Sequence, residues 1–374
     1  MRRESSRRWA VVVAGTALVV AVPALLAARP VPAVKMTAQD VVAAALRSAD
    51  VPHEGLAEID ASLGLPDLPV VSDATKVLSG TTRVRTWWAS ATSWRADTVT
   101  GTGEDMTYAN PADTGGGVRQ WSFETNTVTD VLYSPGVRLP RADDLLPPQV
   151  ARRLLGWVGA TDQVRPLAAR RVAGTVAAGA QIVPADLAST VGQIDVWVEP
   201  GTGLPVEVDV YARGGVRPVF SSRFLDLALH RPAASLLSPT FSSTAELRST
   251  SEPDLLARVN AFGSVALPEQ LGSLARVTGP AANGLHGVAV YGAGLTQLVV
   301  APLPDRLAGD VFEATGSKGR RVTLPGGQAT FLSTPLVGLA VVFGRGQGYL
   351  VAGTLEPAAL QAAVTALLAA PATR

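Results

Sequence analysis

The sequence predicts an α+β fold: an N-terminal export segment, then a curved antiparallel β-sheet forming an open half-barrel wrapped on helices, then a smaller C-terminal α+β domain. Three observations carry this reading. Short stretches of alternating polarity recur between Gly, Pro, Asn and Asp at hairpin-like intervals over residues 54–133, and strands resume from 169. Only three segments of the body show helical periodicity. The composition also breaks late in the chain, because six of the seven tryptophans lie between 87 and 197 and none lies beyond. At 374 residues, 47% hydrophobic and 17% charged, the chain can bury a sizeable core and hold two domains.

Residues 9–28, WAVVVAGTALVVAVPALLAA, form an uncharged apolar run of bilayer-spanning length behind RRESSRR. The body is therefore expected outside the cytoplasm, on the periplasmic or cell-wall side of the membrane. Residues 1–33 are either a signal peptide cut near VPA at 31–33 or a retained anchor that keeps the protein on the membrane. With no cysteine, the exported body must draw its stability from core and sheet alone. Residues 34–374 carry 27 basic and 30 acidic side chains, a net −3, which offers no basic field for nucleic acid.

The elements follow in order. TAQDVVAAALRSAD at 37–50 starts with a capping-box pair, Thr37 and Asp40, and sets Val42, Leu46 and Ala49 on one face of a helix. Six strand-like stretches follow, from EGLAEIDASLGLP to NTVTDVLYS. In DDLLPPQVARRLLGWVGA, Leu146, Val150, Leu154 and Trp157 form a helical stripe, with Asp143 and Asp144 where a helix N-terminus favours negative charge. ARRVAGTVAAGAQIVP then reads as one strand. GQIDVWVEP and LPVEVDVYAR read as a hairpin with one apolar and one polar face. A Ser/Pro/Thr-rich stretch marks the boundary, giving domains at 37–243 and 262–374 with a linker at 244–261. The last unit carries six strands and a closing helix, 357–368, with Pro357 first and Leu360, Val364, Leu367 and Leu368 on one side.

No enzyme signature emerges. His53, His230 and His286 have no metal-ligand spacing and read as structural or surface residues. GRGQG at 344–348 joins two strands and reads as a hairpin turn, and no carboxylate pair is singled out for glycoside hydrolysis. A cell-wall hydrolase would rest on location alone. The aromatic residues remain. Strand parity puts Val84, Thr86 and Trp88 on one face and Arg83, Arg85 and Trp87 on the other. The rings on the apolar face serve either a packed core or a partly unfilled sheet surface that takes an acyl chain or apolar peptide.

WRADTVTGTGEDMTYAN, WSFETNTVTDVLYS and, above all, DVWVEPGTGLPVEVDVY resemble the lipoprotein-carrier superfamily of LolA-like and LolB-like carriers, over roughly 37–243. The two-domain layout is similar to that of the RseB/MucB-type regulators. The resemblance implies a curved sheet enclosing an apolar cavity, with Val84, Trp88, Trp94, Trp121, Phe123, Trp157, Val206, Val208 and Val210 as its expected walls. It implies a non-enzymatic protein that holds a lipid, an acyl chain or a lipoprotein, with no cofactor and no metal. The alternative is a regulator that binds a membrane anti-sigma factor and senses envelope lipid. A transporter is a further expected partner for a carrier.

Overall fold

The computed structural model describes residues 31–64, 79–99, 101, 103–132, 138–252, 254, 267–278, 287–303, 319–344 and 346–370. The apolar run at 9–28 and His286 lie outside them. Helix α1 (Ala38–Leu46) begins on the expected capping box, with Asp40 N–H donating to Thr37 Oγ1 and Thr37 N–H donating to Asp40 Oδ2, both at 3.1 Å.

Six strands then form a meander: β1 (His53–Ser62), β2 (Ser79–Ser90), β3 (Ser93–Val99), β4 (Glu104–Ala109), β5 (Val118–Ser122) and β6 (Thr127–Val131). Helix α2 (Pro147–Leu155) leads to a second meander: β7 (Gln163–Val172), β8 (Thr175–Val183), β9 (Val191–Val198), β10 (Pro205–Ala212) and β11 (Pro218–Ala228). The two meanders join where β1 pairs antiparallel with β11, and β12 (Glu246–Thr250) adds parallel to β6. The result is one curved twelve-stranded sheet in the order β12-β6-β5-β4-β3-β2-β1-β11-β10-β9-β8-β7. Its inner face is largely apolar because most alternate residues of the central strands are, with His53, Thr86 and Ser222 buried among them. Ala57, Ile59, Val84, Val208 and Val196 share that face and are fully buried. Helix α1 lies on β7, β8 and β9 through Ala38, Val41 and Ala45, a face one residue round from the expected Val42, Leu46 and Ala49, of which Leu46 is 41% exposed. Helix α2 lies on β10, β11 and α1 through Val150, Ala151 and Leu155.

Three more local expectations are corrected. Residues 169–184 are not one strand but parts of two, because Ala173 and Gly174 take φ of +48° and +77° and close a two-residue hairpin between Val172 and Thr175. Asp143 and Asp144 sit in a separate 3-10 turn, Ala142–Leu145, ahead of α2. There they pair with Arg141 and Arg138, and Asp144 caps that turn by accepting from the Arg141 N–H at 2.8 Å. The predicted linker contributes β12 to the first sheet, and Glu252 beyond it pairs with Arg141 at 2.9 Å and Arg138 at 3.5 Å. The first domain therefore holds its chain as far as Glu252.

The C-terminal unit has a small hairpin, β13 (Gln270–Leu271) and β14 (Leu274–Ala275). A six-stranded sheet follows: β15 (Ala289–Ala293), β16 (Thr296–Leu303), β17 (Arg320–Leu324), β18 (Gly327–Ser333), β19 (Gly338–Gly344) and β20 (Gln347–Gly353). The sheet runs β15-β16-β20-β19-β18-β17. Helix α3 (Pro357–Ala369) buries Leu360, Val364, Leu367 and Leu368 against it, the side its spacing predicted. The glycines at 344–348 sit at the β19–β20 hairpin, where Gly344 pairs with Gln347. Among the described residues no helix is long and apolar enough to cross a membrane.

These anchors predict where a protease cuts first. With Glu252 held by two arginines and Leu267 already in the second core, limited proteolysis should open the chain between Glu252 and Leu267. The two fragments, read by mass spectrometry, should remain folded; a first cut within 232–250 would place the domain boundary earlier.

Candidate functional site

The inner face of the sheet is filled over most of its width. Trp88 is stacked between His53, with ring centroids 6.0 Å apart, and Trp94, at 5.6 Å. Its Nε1–H donates to Ala49 O at 2.9 Å. Val84, Trp88, Trp94, Val206, Val208 and Val210 all lie within one packed core. His53 is buried with them, its Nδ1 2.9 Å from Val51 O and its Nε2 without a partner. Burial, reinforced by the nearby Arg152 charge, pushes its pKa down to about 4.

Trp121 stands on the other face. Trp94 pairs with Ala109, whereas Met106, an odd three residues earlier on β4, pairs with Trp121, so register carries its ring to the outer side. There it meets Phe123, edge-on at 5.8 Å, and Phe241 at 6.1 Å. Phe123 follows the end of β5 and is 56% exposed. Phe241 also stacks on Tyr108, so the chain after the short helix Ala234–Leu237 straps the outer face. Trp87 is on the outer face too, as strand parity predicts, under the Arg95 guanidinium at 4.7 Å.

The open apolar space lies where the two domains meet. A cleft of about 420 Å³ is bounded on one side by Leu63, Leu145, Val150, Leu154, Val210 and Phe220, and on the other by Leu295, Val299, Leu336 and Ala352. Of the nine expected wall residues, Trp157 and Val210 line it. Helix α2 explains how. Val150 and Leu154, one turn apart, face the cleft, and the helix stops at Gly156 and leaves Trp157 at the cleft, 45% exposed. Polar character is confined to a few groups, among them Arg153 and Asp144, which lie 3.8 Å apart. Burial works to raise the Asp144 pKa, but bonds from Arg138 and the Arg141 N–H outweigh it and keep the carboxyl below its ordinary range.

The cleft is flanked by a buried hydrogen-bonded seam between the domains. Thr190 Oγ1 donates to Leu336 O at 2.6 Å and Ser189 Oγ to Leu295 O at 3.0 Å. The backbone adds Thr190 N–H to Thr354 O at 3.0 Å and Glu356 N–H to Ala188 O at 2.8 Å. The seam satisfies every one of these donors without spending apolar surface, which leaves the neighbouring leucines and valines free to line the space.

A second group escaped the sequence reading. The face carrying Asp195, Trp197, Glu207 and Asp209 looks solvent-facing by alternation, yet all four are buried. Gly179 leaves room for the Trp197 indole, which donates to Ala168 O at 3.2 Å, and the Arg170 guanidinium lies 3.2 Å over its ring. Arg170 also pairs with Glu207, while burial pushes the Glu207 and Asp195 carboxyls up. Among the described residues no three His, Cys, Asp or Glu side chains are grouped to hold a metal ion.

A wide antiparallel sheet curved around two helices, joined to a small sheet-and-helix domain across an apolar cleft, defines a two-domain open-sheet architecture. The chain is similar to a chain of the Pseudomonas aeruginosa MucA/MucB complex, with 14% identity over 87% of this chain and 96% of that one and a TM-score of 0.48. It is similar to MucB crystallised alone, at 16% identity, 88% and 96% coverage and a TM-score of 0.42. A LolA-superfamily protein from Nitrosomonas europaea matches 55% of this chain and 98% of its own, at 10% identity and a TM-score of 0.22. No protein-family model matches the sequence, and no curated protein matches it.

Proposed function

We propose that this is a non-enzymatic extracytoplasmic binding protein that holds the acyl chain of a lipid or lipoprotein in the cleft between its two domains. The observation that supports this most is the cleft itself. Its volume falls within the range of about 300–1,000 Å³ common to ligand pockets, and its walls are mostly apolar, aliphatic side chains with Trp157 and Phe220 among them. Each methylene buried there is worth about 0.8 kcal/mol, so a chain-like guest gains affinity with length. The location rests on the apolar run at 9–28.

The test is direct. Organic extracts of the purified protein should contain lipid by mass spectrometry, and a fluorescent acyl probe should bind. Trp157→Ala should weaken the probe about tenfold, a loss of about 1.4 kcal/mol, with little effect on stability because the ring is half-exposed. Val299→Arg, a charge placed in the opposite wall, should abolish binding. An empty extract together with no probe binding rejects the proposal.

One observation favours regulation over simple carriage as a second reading. Both domains line the cleft beside their hydrogen-bonded seam, so a guest alters how they sit together, and a partner such as a membrane anti-sigma factor could read that change. Capture of such a factor by the lipid-free protein, and its release on adding lipid, would separate a sensor from a carrier.

A further inference from the structure

Among the described residues strand β12 forms one edge of the large sheet, and all five of its residues are exposed. It pairs in parallel with β6, with Glu246 N–H donating to Asn126 O at 3.0 Å and Leu132 N–H to Thr250 O at 2.9 Å. In such a ladder, residues that bond the neighbour alternate with residues whose N–H and C=O point the other way. Glu246, Arg248 and Thr250 therefore face β6, and Leu247 and Ser249 turn their backbone groups to the open side. The side chains alternate as well. Leu247 stands on the outer face, 78% exposed, at the end of a row formed by Met106, Trp121 and Val128 on β4, β5 and β6. Glu246 and Arg248 stand on the inner face, paired at 2.9 Å.

Proteins ordinarily keep large apolar residues off an open edge. We propose that β12 is a homodimerisation edge, along which two copies of this chain pair antiparallel about a twofold axis through Leu247 and join their large sheets. The register is self-complementary. Leu247 exchanges both backbone bonds with Leu247 of the second copy, and Ser249 faces Ala245. Glu246 faces Arg248 of the second copy and Arg248 faces Glu246. The two leucines meet and continue the apolar row across the joint. A twofold axis through Arg248 would instead set two guanidinium groups opposite each other, and one through Ser249 would leave both leucines without an apolar partner. Five residues and two solvent-screened ion pairs make a weak contact, so the pair is best detected by trapping.

The chain has no cysteine, so one introduced thiol reports alone. Residues opposed in a bonded antiparallel pair lie about 5.5 Å apart at Cα, within disulfide reach. The full chain carrying Leu247→Cys is compared with the full chain carrying Val216→Cys, a site 92% exposed between β10 and β11. Under mild oxidation at equal concentration, Leu247→Cys should form a covalent dimer about tenfold faster. Adding Glu246→Arg should slow it to the Val216→Cys rate, and adding Glu246→Arg with Arg248→Glu should restore it, with circular dichroism unchanged throughout. A Leu247→Cys rate no higher than that of Val216→Cys overturns the proposal. So does a failure of the single charge change to slow trapping, or of the double exchange to restore it.

Discussion

Replacing Trp88 by Ala lowers the unfolding free energy by about 3–5 kcal/mol, whereas Trp87→Ala costs about 1 kcal/mol or less. The two neighbours differ because strand parity sends them to opposite faces. Trp88 is 5% exposed, lies between His53 and Trp94, and holds Ala49 O through its indole N–H. Its removal leaves a cavity and an unpaired carbonyl together. Trp87 is only partly buried and contributes mainly its contact with Arg95. Urea denaturation of both variants measures the difference, and acyl-probe binding should survive Trp87→Ala. Equal costs for the two variants would mean that the inner face is less tightly filled than its burial indicates.

Acid should weaken the fold through His53. Burial holds its pKa at about 4 in the folded protein, against 6.5 in an unfolded chain. The unfolded state therefore binds the proton more tightly. The contribution is fully present above pH 6.5 and is lost as the pH falls from there towards 4. Across that window the loss reaches about 3 kcal/mol. His53→Phe keeps an aromatic ring against Trp88 and Phe224 but carries no proton, so its stability should not show this share of the acid loss. Denaturation curves for both proteins at several pH values across the window give the difference. If the two proteins lose stability in parallel, the acid sensitivity belongs to other groups.

Much of the fold was legible because local signals sufficed. The Thr37–Asp40 box, the alternation of Val84, Thr86 and Trp88, and the apolar side of α3 are set by period and by neighbours within a few residues. Strand-to-strand register was not. Which face Trp121 takes depends on the length of the β4–β5 connection, which includes a helical turn at Pro111–Thr114, and alternation within β5 says nothing of it. The buried charges around Arg170 were hidden for a related reason. Alternation separates two faces, but it does not reveal that the register break between Leu167 and Arg170 would lay a guanidinium over Trp197. The cleft was hidden most deeply, because its walls come from strands and loops more than a hundred residues apart. Only Val210 and the stripe ending at Trp157 were visible as parts of it.

The seam between the meanders at β1 and β11 has a kinetic consequence. Within each meander, neighbouring strands are also neighbours in sequence, so hairpins can form quickly. The contact that unites them pairs Glu54 with Ala228 and Ala61 with Phe220, across most of the first domain. During synthesis β1 emerges long before β11 exists, and its hydrogen-bonding edge must wait unpaired. The strand is equipped for that delay: Glu54, Glu58 and Asp60 project from its outer face, and like charges on an exposed edge repel an identical strand from another nascent chain. Final stability and safe assembly thus make different demands on the same ten residues, with the alanines and Ile59 serving the finished core and the acids guarding the interval before it closes.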